Sequence, residues 1–200
     1  CEDFTILKQG IPLCEAKLTI PGRHNILNAL AAAAVADQMG IAPETIADAL
    51  HAFHGVHRRF EILGEFGGIT IADDFAHHPT ELTATLSAAM RMGYREVWAL
   101  FQPHTYSRTA LFLDDFAKAL SIPNHTVLSE ILAVRETNTY NIYARDLAEK
   151  IPGCVWFPTF EEMADYTMAR VQPGDLILTL GGGDVYKCAN LIVERYRQNL

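Results

Sequence analysis

The chain has 200 residues, half of them hydrophobic and a fifth charged. These are the proportions of a globular protein able to bury its own core, which excludes a disulfide-dependent miniprotein and a disordered chain. Sixteen Lys and Arg against 24 Asp and Glu leave a formal net charge of −8, which repels polyanions and argues against sequence-independent nucleic-acid binding, yet permits a small anion held by one or two arginines.

Phe4–Leu7 and Ala16–Ile20 are short β-like runs around Gly10 and Pro12, a hairpin closed by Pro21-Gly22. A helix follows from about His24 to Met39, ended by Gly40, and Pro43 opens a second with Ile46, Ala49, Leu50 and Phe53 at helical spacing. Two strands and two helices make no balanced core, so residues 1–55 read as the tail of another domain. A hinge is expected over His54–His57. From there Phe60–Phe66 and Ile69–Phe75 form a hairpin across Gly67-Gly68. Helices and strands then alternate: Pro79 to about Met92, Glu96–Phe101, Thr109–Leu120, Thr126–Ser129, Tyr143–Lys150, Val155–Phe157, Glu161–Val171, Asp175–Leu180 and Asp184–Arg197. The pattern predicts an α/β domain over residues 56–200, a mostly parallel sheet flanked by helices. Ligands of such sheets sit at the carboxyl ends of the strands. Polar residues concentrate in four segments there: Asp73–Pro79, Gln102–Thr109, Glu130–Asn138 and Gly181–Asp184.

No apolar run approaches the roughly 20 residues of a membrane span, and the first residues carry no export signal. Cys1, Cys14, Cys154 and Cys188 lack paired spacing of the metal or redox type, so reduced cysteines of a cytoplasmic protein are expected.

Several constellations can carry chemistry. His24, Asn25 and Asn28 share a helix face, where carboxamides offer donor and acceptor to a purine edge; the competing reading is a helix cap by Asn25. Arg58 and Arg59 open a strand, where alternation lets only one face a ligand; both also read as surface cations balancing an acidic domain. In Asp73–Pro79 a carboxylate can accept a ribose hydroxyl, whereas adjacent His77 and His78 lack the third ligand of a metal site. His104 and Arg108, four residues apart before a helix, can hold a carboxylate or phosphate; serine and threonine alone would suffice for a plain cap. Gly181-Gly182-Gly183 suggests a dinucleotide loop, but the third glycine of that fingerprint falls at Tyr186, and a tight turn explains the run equally. The triphosphate-cradling pattern G-x-x-x-x-G-K-[ST] is absent from the sequence.

Four stretches, Pro21–Ala29, Gly55–Glu61, Asp73–Glu81 and Phe101–Thr109, together resemble the motifs of the Mur ligases, in order and over almost the whole chain. The fourth resembles the branch that adds L-alanine more than the one that adds a whole peptide. The resemblance implies the end of the family's central ATPase domain (1–55) followed by its Rossmann-like, amino-acid-binding C-terminal domain (56–200), the P-loop lying in polypeptide outside this sequence. It implies an ATP- and Mg²⁺-dependent amide ligase, inactive as this portion alone, joining L-alanine to UDP-N-acetylmuramate through an acyl phosphate. By the same analogy His24, Asn25 and Asn28 border the adenine, Arg59 reaches the nucleotide phosphates and Asp74 holds the ribose. His77, His104 and Arg108 would line the place where the amino acid meets the sugar acid, with metal ligands outside this chain. Phe75 stands where many relatives carry Tyr, and Thr105 where many carry Arg. A peptide-adding relative, a folylpolyglutamate synthase relative and a non-enzymatic Rossmann-like binding module are the alternatives.

Overall fold

The computed structural model describes residues 2–20 and 22–198; Cys1 and Pro21, which carry expectations above, lie outside them. The chain divides into two compact units, residues 1–57 and 58–200.

In the first unit β1 (Glu2–Lys8) and β2 (Ile11–Leu18) pair antiparallel. Helices α1 (Arg23–Gln38) and α2 (Pro43–Ala52) follow. Gly40 ends α1 in a left-handed conformation, φ 78°, and Pro43 opens α2 with its fixed φ. Ile6, Ala16, Leu18, Ala29, Ala33, Ile46 and Leu50 form the unit's core. The opposite face of α1 leaves Leu27, Leu30 and Val35 exposed.

The second unit is a six-stranded sheet. Its elements are β3 (Glu61–Phe66), β4 (Ile69–Asp74), α3 (Pro79–Ala89), β5 (Val97–Phe101), α4 (Tyr106–Leu111), α5 (Leu113–Leu120), β6 (His125–Leu128), α6 (Ala144–Ala148), β7 (Val155–Trp156), α7 (Phe160–Met168), β8 (Leu176–Leu180) and α8 (Tyr186–Gln198). The strand order is β3-β4-β8-β5-β6-β7. Only the β3–β4 hairpin is antiparallel; Gly67 and Gly68 supply the two positive φ angles its tight turn needs. The last strand inserts between β4 and β5, so the centre of the sheet is closed by the end of the chain.

Every residue of β5 and β8 is buried, as expected of strands covered on both faces. Alternation sends Val97, Ala99, Phe101, Leu176, Leu178 and Leu180 into one layer with Leu82 and Leu86 of α3 and Phe116 of α5. Trp98, Leu100 and Ile177 enter the other, with Met163 of α7 and Ile192 of α8. Each such large side chain contributes about 1.5–3 kcal/mol by leaving water. The helix expected over Thr109–Leu120 begins earlier and breaks in two at Phe112, whose ring packs edge-on against His78, 4.9 Å between centroids. Phe112 has φ −111° and ψ 26°, outside helical geometry.

The cysteines Cys14, Cys154 and Cys188 are free. Burial pushes the thiols of Cys154 and Cys188 up to about 12, which makes them inert apolar residues. Among the described residues no helix is long and apolar enough to cross a membrane.

Candidate functional site

Asp74, Leu180, Phe101 and Leu128 stand in register at the carboxyl ends of β4, β8, β5 and β6. The ladder runs one step further, with Gly181 N donating to Asp74 O, Gln102 N to Leu180 O and Ser129 N to Phe101 O. All four polar segments therefore leave the sheet at a single edge.

The glycine run sits in the middle of them, and packing explains it. A Cβ on Gly181 would lie 3.0 Å from the Gln102 carbonyl oxygen, one on Gly182 3.2 Å from the His77 ring, and one on Gly183 2.4 Å from Leu132. Gln102 Oε1 also accepts from Asp184 N at 2.8 Å. The glycines thus let three neighbouring loops close onto a fourth, and the Cβ side of the run holds protein where a dinucleotide loop would admit pyrophosphate.

The two arginines separate by chemistry. They precede β3 in a turn in which Arg58 and Phe60 have φ of 60° and 49°, so strand alternation does not apply to them, contrary to expectation. Arg58 is consumed inside the unit: Nε donates to Asp73 Oδ2 (2.8 Å), Nη1 to Gly183 O (3.1 Å) and Nη2 to Gly181 O (2.7 Å). Its guanidinium lies between the rings of Phe75 and Tyr186, at 5.0 and 4.9 Å. Arg59 is exposed, its guanidinium 5.7 Å from the centroid of Phe75.

The adjacent carboxylates both serve the protein. Asp73 takes Arg58 and the Thr179 hydroxyl (2.6 Å). Asp74, 5% exposed, accepts from Phe60 N and Ala76 N at 2.8 Å each. Burial raises its pKa, against backbone donors and Arg59 that lower it. Each Asp74 oxygen thus orders the loop by taking one backbone donor, and a ribose hydroxyl at Asp74 would share these oxygens with the two amides.

His77 and His78 differ as sharply. His78 caps α3, its Nδ1 accepting from Thr80 N, and Glu81 completes the capping box. His77 Nδ1 lies 2.9 Å from Phe75 O. A carbonyl only accepts, so this nitrogen carries a proton, and whenever the ring is neutral its lone pair is on Nε2. Burial pushes Glu81 up, but the amides of His77 and His78, the His77 ring and Arg59 outweigh it and hold the carboxyl below its usual range.

His104 lies with its ring centroid 5.9 Å from that of His77. The loop bearing it is zipped to the segment after β6: Leu132 N donates to Pro103 O and Thr105 N to Leu132 O, both at 2.9 Å. Each partner contains a strained residue, Thr105 at φ 68° and ψ 143°, and Val134 at φ 58°. Next to them a cavity of about 580 Å³ is lined by Thr105, Ser107, Arg108, Leu111, Glu136 and Tyr140, among others. Two buried polar atoms here have no hydrogen-bond partner among the described residues, His104 Nδ1 and Arg108 Nη1. Such orphans are costly to fold around unless a water, an ion or a ligand supplies the missing partner.

Desolvation, then the charges of Arg108 and His77, hold His104 below its ordinary 6.5, with Glu136 opposing. An unfolded chain therefore binds this proton more readily than the folded one, and stability falls as pH drops below about 6.5. Replacing His104 by Gln should flatten that fall; urea denaturation of both proteins between pH 7 and 5 measures the difference, and parallel curves would contradict it.

In the first unit Gly22, φ 104°, occupies the N-cap of α1 and offers no side-chain cap of its own. Asn28 Nδ2 donates to Asn25 Oδ1 at 3.3 Å, and His24 and Asn28 are exposed.

Among the residues now at the site, Glu136 and Gln102 were not singled out by the sequence, although both lie in segments marked as polar strand ends.

Residues 58–183 match the family model of the Mur ligase, glutamate ligase domain. The chain is similar to the UDP-N-acetylmuramate–L-alanine ligases of Agathobacter rectalis (44% identical over 98% of this chain and 43% of the relative) and Acetivibrio thermocellus (42%, over 96% and 42%). Among solved structures, UDP-N-acetylmuramate–alanine ligase MurC of Thermotoga maritima superposes with a TM-score of 0.79 at 30% identity, over 96% of this chain and 42% of that one. The chain thus spans about two-fifths of the length of the relatives it matches. With the family model matching more than half of its length, the chain belongs to the Mur ligases, whose glutamate ligase domain it carries.

Proposed function

We propose that this chain is the amino-acid-binding part of a cytoplasmic ATP-dependent ligase that joins L-alanine to UDP-N-acetylmuramate for peptidoglycan precursor synthesis. The observation that carries the reading is the pair of buried, unpartnered atoms, His104 Nδ1 and Arg108 Nη1, at the carboxyl edge of the sheet. The printed activities of the relatives supply the substrates. Residues 1–55 belong on this reading to the central ATPase domain, in keeping with the exposed apolar face of α1.

In the reaction the sugar-acid carboxylate attacks the γ-phosphate of ATP, releasing ADP and leaving an acyl phosphate. The uncharged amine of L-alanine then attacks the acyl carbon. The tetrahedral intermediate expels inorganic phosphate, and the nitrogen gives up a proton. Arg108 pairs with the amino-acid carboxylate, and His77, with its lone pair on Nε2, takes the proton. His104 Nδ1 offers a hydrogen bond to the oxygens of the acyl phosphate or of the intermediate, where fixed dipoles act most strongly. Arg59, the uncommitted arginine, neutralises nucleotide phosphate, and His24, Asn25 and Asn28 border the adenine. A divalent cation would relieve the charge of ATP. On this reading the protein ligands of that cation lie mainly in the rest of the central domain.

The test is phosphate release dependent on both L-alanine and UDP-N-acetylmuramate, assayed in the full-length ligase that carries this chain and in the 200-residue chain alone. Ligation by the former and none by the latter is expected. Ligation by the 200-residue chain, or preference of the full-length protein for a peptide or glutamate acceptor, overturns the reading.

A further inference from the structure

Arg108 lines a cavity together with a carboxylate, Glu136, yet Arg108 Nη1 makes no hydrogen bond to it. The reason is that both oxygens of Glu136 are engaged elsewhere. Oε1 accepts from Ser107 Oγ at 2.5 Å and Oε2 from Ser107 N at 2.8 Å. Those bonds, more than the nearby guanidinium, hold the Glu136 carboxyl below its usual range. Ser107 sits one residue before Arg108 in α4 and 29 residues from Glu136.

We infer that Ser107 is a positioning residue that holds Glu136 back from Arg108, so that the cavity's cation stays available to the carboxylate of the amino-acid substrate. A guanidinium facing a half-buried carboxylate forms a fork-to-fork pair whenever geometry allows. An internal pair of that kind would compete directly with an external carboxylate for the same donors. Tethering the glutamate to the first turn of α4 prevents the competition and leaves the charge near enough to offset that of Arg108. The inference rests on the amino-acid role assigned to Arg108 above, but the tether itself is a property of this chain.

The test is a rescue. In the full-length ligase, Ser107→Ala should raise KM for L-alanine about tenfold with kcat within twofold, because Oε1 is released to compete for Arg108. Adding Glu136→Gln to that variant should return KM to within about twofold of the parent, since an amide cannot neutralise the arginine. A purely structural role for Ser107 would make the double variant as poor as the single one or worse. Ser107→Ala without effect on KM, or a double variant no better than it, overturns the inference. Ser107→Cys, whose thiol is a weak donor, is the second variant should alanine not fold, with the same expected result. A crystal structure of the 200-residue Ser107→Ala chain reads the tether without any activity. A Glu136–Arg108 ion pair is expected, and Glu136 still bound to Ser107 N and away from Arg108 would overturn the inference even if the amino-acid role of Arg108 stands. If Arg108→Ala leaves KM unchanged while that ion pair forms in the crystal, the substrate assignment fails and the tether survives.

Discussion

Arg108→Ala in the full-length ligase is expected to lower kcat/KM for L-alanine by about 10²–10³, the scale of removing one charged donor from a desolvated site. The same substitution should leave the melting temperature of the 200-residue chain unchanged or slightly raised. Both expectations come from one fact: Nη1 of Arg108 is buried and has no hydrogen-bond partner among the described residues. A group whose desolvation is compensated only by ligand contributes to binding and subtracts from folding, so its removal separates the two measurements. Steady-state kinetics with L-alanine as the varied substrate, beside calorimetry of the isolated chain, make the comparison. A fall in melting temperature of many degrees with little change in kcat/KM would show that Arg108 is a packing residue.

Where chemistry is local, the sequence announced the structure. Pro43 and Pro79 open helices because a fixed φ and a missing N–H suit the first turn, and Gly67-Gly68 makes the hairpin because both positions need positive φ. Strand ends were legible for the same reason, which placed His77, His104 and Arg108 at one edge of the sheet. Non-local features were not. Nothing near Leu176–Leu180 says that this strand inserts between β4 and β5, since parallel pairing is decided by packing over a hundred residues of separation. Thr105 takes a backbone conformation that its residue type disfavours, held by bonds to Leu132, Ser107, Arg108 and Thr109. At Asp74 the sequence showed a carboxylate at a strand end, but not that the amides of Phe60 and Ala76 already donate to it, the first from 14 residues away. Glu136 was invisible because its partner is 29 residues away.

The pair Arg58 and Arg59 carries the other large effect. Adjacent and chemically identical, they should respond oppositely to alanine. Arg58→Ala removes three hydrogen bonds and two ring contacts, and strands Asp73, which is 1% exposed, with the Thr179 hydroxyl as its remaining side-chain donor. Breaking a buried ion pair on one side costs about 3–5 kcal/mol, and with the Arg58 side chain 21% exposed the loss should be about 2–4 kcal/mol. The carbonyls of Gly181 and Gly183 lose their donor at the same moment, so the loops joined at the glycine run loosen together and activity falls as a consequence of folding. Arg59→Ala removes an exposed cation and should change stability by no more than about 0.5 kcal/mol. If Arg59 neutralises the nucleotide phosphates, turnover of the full-length ligase should nevertheless fall about 100-fold or more, the scale of losing a charged group at a phosphoryl centre. Urea denaturation of the 200-residue chain and kcat of the full-length ligase, measured for each variant, give four numbers. Equal losses of stability for the two variants would mean that Arg59 is as structural as its neighbour, and a stable Arg58→Ala chain would mean that the rings of Phe75 and Tyr186 hold the loops without the guanidinium between them.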